Sequence, residues 1–230
     1  MAKLKYTLIP ILAALLLTAC VSPSSIRGTG PLIEKSYPLE SINRAIVPSR
    51  KTSLVITAAQ NVHEVLSVEV DSESLKVGPQ HGIHLARSAK PAYTLYLNEL
   101  EHLDLSGSMS VYADHLDGDQ LSVNASGGVD GELLIQAQEL TVRGSGSINL
   151  TLSGQTDRFH VHGSGSVKVD AGKLLARWVD LDLSGSSKIT VWADDSLDVH
   201  SSGSTRVQYR GQPRISQDVS GSSSIEAWEE

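Results

Sequence analysis

From residue 100 to the C-terminus, apolar residues recur at every second position and are interrupted at near-regular intervals by Ser-Gly-Ser or a close variant. The central glycines are Gly107, Gly127, Gly146, Gly165, Gly185, Gly203 and Gly221, spaced 20, 19, 19, 20, 18 and 18 residues apart. Four residues before each glycine stand Leu103, Val123, Val142, Val161, Leu181, Val199 and Gln217. Four after stand Val111, Gly131, Leu150, Val169, Ile189, Val207 and Ile225, and six after stand Ala113, Leu133, Leu152, Ala171, Val191, Tyr209 and Ala227. The positions between are mostly polar. Period-two alternation on both sides of a glycine corner means strands with one buried face, and self-similarity near 20 residues means a solenoid.

Helical repeats are excluded, because apolar spacings of three and four are absent and Ser-Gly-Ser would break each helix. A leucine-rich horseshoe would need an asparagine ladder and a helical return. The pattern therefore predicts an all-β chain: a right-handed parallel β-helix of about seven regular rungs over residues 100–230. At about 4.8 Å per rung the stack is roughly 30 Å tall. The serines beside each glycine would form a hydroxyl ladder along the corner. Residues 38–99 also alternate, as in Leu54-Val-Ile and Val65-Leu-Ser-Val-Glu-Val, but Pro48, Pro79 and Pro91 punctuate them irregularly. They are expected to form an N-terminal β-strand cap that covers the open edge of the coil. Glu226, Glu229 and Glu230 are expected to blunt the last rung with charge.

The N-terminal pattern is different. Lys3 and Lys5 precede an apolar stretch, Leu8–Leu17, too short to span a bilayer, and Leu17-Thr18-Ala19-Cys20 has the form of a lipobox. Residues 1–19 are thus expected to be a lipoprotein signal peptide, with Cys20 lipidated and becoming the new N-terminus. Acyl chains at about 0.8 kcal/mol per buried CH₂ would make that anchor essentially permanent. Val21 stands where an Asp would resemble an inner-membrane retention signal, which favours the outer membrane. Residues 20–37, rich in Pro, Gly and Ser, are expected to be a lipidated tether.

Composition sharpens this picture. Aromatics are 4% of the chain, with a single Phe, which suits a core of stacked Val, Leu and Ile. Cys20 is the one cysteine, so no internal disulfide or cysteine metal cluster is available. The formal net charge is −7, and removal of Lys3 and Lys5 with the signal segment leaves 17 basic against 26 acidic residues, or −9. That balance argues against nucleic acid, which demands a basic surface.

Three constellations carry candidate chemistry. Three residues before the glycine runs an outward column of Asp104, Asn124, Arg143, His162, Asp182, His200 and Asp218, flanked by His102, Ser122, Thr141, His160, Asp180, Asp198 and Ser216. His162, Asp182, His200 and Asp218 are candidate ligands for one divalent metal ion such as Zn²⁺. The bland reading, a solvated face with alternating charge types, is the commoner one for such a column. Seven residues after the glycine, Trp192, Arg210 and Trp228 would stack an Arg between two indoles. That surface suits internal packing, or a sugar or protein partner. Finally, Gly144-Ser-Gly-Ser and His162-Gly-Ser-Gly-Ser have the look of nucleophile or phosphate loops, but those need a strand-to-helix turn and no helix follows.

The run of Ser-Gly-Ser rungs and the ending Leu197-Asp-Val-His-Ser-Ser-Gly-Ser-Thr-Arg-Val-Gln-Tyr-Arg-Gly-Gln-Pro-Arg-Ile-Ser-Gln-Asp-Val-Ser-Gly-Ser-Ser-Ser-Ile resemble the head GIN domain family, known as "putative auto-transporter adhesin". The segment Leu39-Glu-Ser-Ile-Asn-Arg-Ala-Ile-Val resembles its opening strand, so the likeness spans about residues 38–228. The family implies a β-helix and frequent lipoprotein anchoring in Gram-negative envelopes, and brings no catalytic residues. The corners depart from its usual Ser-Gly-Ala-Ser at Ser126-Gly-Gly and Gly144-Ser-Gly-Ser.

Together these readings predict a lipid-anchored outer-membrane protein, facing the periplasm or the cell surface, that is a non-enzymatic binding, adhesin-like or scaffold module. It would need no cofactor, and would meet the membrane through its lipid and a protein or glycan through its surface. The rival is a carbohydrate-active β-helix enzyme, a polysaccharide lyase or hydrolase. Rungs of 18–20 residues leave no loop long enough to wall a cleft, which counts against it.

Overall fold

In the computed structural model the alternation of residues 102–210 becomes one uninterrupted run of strand. The structure describes residues 14–18, 26–38, 53–70, 74–86, 88–89, 91–96 and 100–228. In chain order the strands are β1 (Ala14–Thr18), β2 (Leu32–Pro38), β3 (Ser53–Ala59), β4 (Leu66–Val70), β5 (Ser74–Pro79), β6 (Ala92–Tyr96), β7 (His102–Arg210) and β8 (Arg214–Ala227). The only helix among the described residues is the four-residue α1 (Gln60–His63). The chain is all-β.

The inward columns bury their side chains. Val123, Val142, Val161, Leu181, Leu150, Ile189, Leu133 and Val191 are essentially inaccessible, as is Phe159, the single Phe. Each such side chain stabilises the fold by about 1.5–3 kcal/mol. β8 pairs in parallel with the end of β7, with Leu197 opposite Ile215, Gly203 opposite Gly221 and Val207 opposite Ile225. That offset equals the spacing of the last two glycines.

All seven corner glycines have φ between 87° and 118°. The close approach is clearest at Gly127, where a Cβ would stand 2.5 Å from the carbonyl oxygen of Gly107. Backbone from successive corners thus meets with no room for a side chain. Gly154 and Gly211 also have positive φ and lie against the carbonyls of Ile135 and Ala193. These two mark a second bend, eight residues past the Ser-Gly-Ser corner, that the sequence pattern did not disclose.

At the N-terminal end β2, β3 and β6 form an antiparallel sheet, and β4 and β5 an antiparallel pair. Leu54, Ile56 and Ala58 of β3 face inward and join one core with Leu100 and with Leu103 and Leu105 at the start of β7. The tether is shorter than expected, because Leu32–Pro38 is a strand on the edge of β3. Ile33 and Tyr37 are half-buried on one face. The pairing partner lies about twenty residues away, so local composition concealed it.

Within the segment read as a signal peptide, β1 pairs in parallel on both sides. Leu15 stands opposite Leu75 of β5 and Leu103 of β7, so β1 completes hydrogen-bonding edges that would otherwise be open. Residues 1–13, Ala19, the lipidation candidate Cys20, the opening strand Leu39–Val47, and Glu229 and Glu230 lie outside the described residues. The C-terminal strand β8 and the residue after it keep apolar surface: Ile215, Val219 and Trp228 are exposed, with Glu226 beside them.

Candidate functional site

Alternation puts every second side chain outside, and outward side chains about one repeat apart in the chain lie close enough to pair. Asp104 and Asn124 occupy neighbouring rungs, and the Asn124 amide donates to the Asp104 carboxylate at 2.6 Å. Arg143, one rung on, reaches sideways to the Ser122 hydroxyl at 3.2 Å. His162 Nδ1 lies 3.6 Å from Asp182 Oδ2, with both side chains about half exposed or more. In the flanking column His160 sits between Glu139 and Asp180, 3.9 Å from each. The separations along the chain, 20 or 21 residues, match the longest spacing of the repeat or exceed it by one.

Asp104, Asn124, Arg143, His162 and Asp182, with serines beside the corner glycines, line an open groove of about 490 Å³ running from Asp104 to Ser184. Ser184 donates to the Gly163 carbonyl at 3.4 Å, and Ser220 to the Ser201 carbonyl at 3.5 Å, so part of the hydroxyl row caps backbone instead of facing a ligand.

The four candidate metal ligands do not converge. His162 meets Asp182, and His200 stands in register with Asp218 one rung further. No group of three or more His, Cys, Asp or Glu side chains among the described residues is placed to hold a metal ion. The reason is geometric: the four meet only as the pairs His162–Asp182 and His200–Asp218, whereas a Zn²⁺ site gathers its ligands within about 2.0–2.3 Å of one point.

The aromatic candidates do meet. The Arg210 guanidinium lies 5.2 Å from the ring centre of Trp192 and 4.8 Å from that of Trp228. Trp228 is tied in place by its backbone N–H, which donates to the Tyr209 carbonyl at 2.7 Å, and its ring lies against Gly172, where a Cβ would not fit. Ring faces engaged in this way favour internal packing.

A second Arg–Trp cluster was missed in the sequence. Trp178 carries Arg177 at 4.3 Å and Arg158 at 5.5 Å, and Arg177 is paired with Asp195 at 2.9 Å. Arg158 and Trp178 both stand seven residues before a corner glycine, so the same column arithmetic carried further would have found them. Trp178 borders a wide groove of about 1030 Å³ whose other walls include Asp119, Gln138 and Glu139. There the Gln138 amide donates to Asp119 at 2.8 Å.

Comparison with known proteins follows from this geometry. A family model described as "Putative auto-transporter adhesin, head GIN domain" matches residues 40–213. A solved structure of a "putative adhesin" from Bacteroides fragilis is similar at a TM-score of 0.73 and 22% identity, covering 89% of this chain and all of that one. A "putative lipid binding protein" from Parabacteroides distasonis aligns at a TM-score of 0.57 and 22% identity, covering 90% of this chain and all of that one. A "putative adhesin" from Parabacteroides merdae aligns at 0.60 and 18%, covering 89% and 99%. At these identities the structures speak for the fold alone. No curated protein matches the chain.

Proposed function

The chain belongs to the head GIN domain family, and from that premise we propose that it is a lipid-anchored, non-enzymatic envelope protein that binds partners on the outer columns of a parallel β-helix. Glycine stacked on glycine, an 18-residue parallel register and side-chain pairs 20–21 residues apart all support the coil of rungs.

One observation carries the binding role. From His102 to Arg210 the backbone stays in strand, so no loop rises beside the outward columns to wall a cleft. The groove over Asp104–Ser184 is open, and its Asp104 and His162 are engaged with neighbouring rungs. A lyase or hydrolase has to enclose its substrate between converging acid and base groups, and nothing in these columns supports that alternative. An exposed, regular polar face suits recognition by many weak contacts, in keeping with the adhesin description of the family.

The anchor rests on Lys3, Lys5, the apolar Leu8–Leu17 and the box ending at Cys20. No helix among the described residues is long and apolar enough to cross a membrane. Acylation of Cys20 would supply attachment, with Val21 favouring the outer membrane.

Metabolic labelling with an alkyne palmitate analogue tests the anchor. Label in the unaltered chain and none in Cys20→Ala is expected, and an unlabelled wild-type chain contradicts the proposal. Protease treatment of intact cells then assigns the side. Digestion places the domain outside, where adhesion operates, and protection until permeabilisation gives it a periplasmic scaffold role.

A further inference from the structure

The outward column three residues after the corner glycine changes character along the stack. It reads Ser110, Asp130, Asn149, then Lys168, Lys188, Arg206, and finally Ser224. Asn149 donates to Asp130 at 3.1 Å, a neutralised pair of the kind seen elsewhere on the surface. The next three rungs place three cations one above another, about 4.8 Å apart, in a protein whose net charge is −7. Like charges directly opposed across strands are destabilising. Yet among the described residues none of the three has a hydrogen bond or ion-pair partner. They border an open groove of about 720 Å³ that has no carboxylate in its walls. Along the strands, Asp170 stands two residues on from Lys168 and is engaged with the Gly172 backbone N–H at 3.2 Å, and Glu226 stands opposite Gln208, two residues on from Arg206.

The inward column beside it changes one repeat later. Val129, Ile148 and Val167 give way to Ser187, Thr205 and Ser223. Thr205 is held by Ser201 at 2.8 Å, and Ser201 meets Ser223 at 3.2 Å. Ser187, only 6% exposed and bordering the same groove, has a buried hydroxyl with no partner. An unsatisfied buried hydroxyl costs about 1–3 kcal/mol. The unpaired cations therefore stand on the outer face of strands whose inner face carries an unpartnered hydroxyl, and the outer face is the one open to a ligand.

We propose that the groove formed by Lys168, Lys188 and Arg206 with the exposed Ser186 and Ser204 is a binding site for a phosphate-bearing ligand, either a soluble phosphate chain or a lipid headgroup. A phosphate group presents several acceptor oxygens and up to two negative charges, which matches several cations flanked by hydroxyl donors. A single carboxylate would be satisfied by one Arg. The site rests on these rungs alone and is independent of the anchor at Cys20.

Calorimetric titration of the full chain tests it, with tripolyphosphate, dihexanoylphosphatidylglycerol below its micellar concentration, and dihexanoylphosphatidylcholine as the zwitterionic control. Binding of tripolyphosphate, of the phosphatidylglycerol, or of both is expected, weakened at least ten-fold in Lys168→Gln/Lys188→Gln/Arg206→Gln. Tripolyphosphate alone identifies a soluble phosphate chain, and phosphatidylglycerol without phosphatidylcholine identifies the headgroup. The triple variant removes only exposed charges, and its unliganded melting temperature is expected to hold or rise as repulsion is relieved. Ser186→Ala with Ser204→Ala, a second variant confined to exposed hydroxyls, is expected to weaken binding without loss of fold. No binding of either phosphate probe, or undiminished binding by the triple variant, overturns the proposal. So does binding of polygalacturonate when neither phosphate probe binds.

Discussion

Gly185 lies directly against Gly165: a Cβ on Gly185 would stand 2.7 Å from the Gly165 carbonyl oxygen and 3.1 Å from its nitrogen. Both obstacles are backbone, and Gly185 has φ of 91°, where an L side chain is strained by about 1–3 kcal/mol. Gly185→Ala is therefore expected to cost about 3 kcal/mol or more, through the combined strain and overlap. Gly128, next to a corner but not in it, has its nearest prospective contacts at 3.9 Å. Gly128→Ala is expected to stay within about 0.5 kcal/mol of the parent. Urea unfolding of the two variants checks the contrast, and equal losses would remove the close-approach argument.

The hydroxyls of the last corners predict an asymmetry. Ser201→Ala leaves the buried Thr205 and the Ser223 hydroxyl without their shared partner, at about 1–2 kcal/mol. Ser187→Ala removes a hydroxyl that has no partner, so the unliganded protein is expected to be unchanged or more stable by up to about 1 kcal/mol. Differential scanning calorimetry without phosphate separates the two, and a loss at Ser187 as large as that at Ser201 would show that Ser187 is already satisfied.

Arg210 stacks between Trp192 and Trp228. Each exposed cation–π contact contributes about 0.5–1 kcal/mol, so Arg210→Met is expected to lose about 1–2 kcal/mol and to alter indole fluorescence. Unchanged emission and stability would mean that the stack does not form in solution.

β1 makes a prediction about processing. If the segment before Cys20 is cleaved, Leu75–Val77 and Leu103–Leu105 lose the strand that lies between them. Amide exchange in those two stretches is expected to be faster in a chain of residues 20–230 than in the full chain. Equal protection would show that another segment takes the place of β1.

How much of this was legible follows from the physics of each element. Val123, Val142, Val161 and Leu181 are buried by a local rule, alternation about a fixed glycine, so the sequence discloses them directly. The Trp192–Arg210–Trp228 stack was legible for the same reason. Lys168, Lys188 and Arg206 obey that rule too, but a significant column is visible only when its partners are known to be absent, which takes coordinates. β2 was hidden because its partner β3 is distant in the chain and Pro31 and Pro38 mimic a linker. The metal reading of His162, Asp182, His200 and Asp218 treated a line as a cluster: columns bring neighbours together pairwise and do not gather four groups around one point.

The groove, the stacks and the basic column all depend on consecutive corners lying in register. Disulfide formation between paired cysteines in a Cys20→Ala background measures that register most directly. Ser166→Cys with Ser186→Cys stands on adjacent rungs, within the Cα separation of about 4.4–6.8 Å that a disulfide tolerates. Ser166→Cys with Ser204→Cys is two rungs apart, at roughly 9.6 Å. The account predicts rapid oxidation of the first pair and none of the second under mild oxidant. Failure of the first pair, or equal oxidation of both, would contradict the in-register stack.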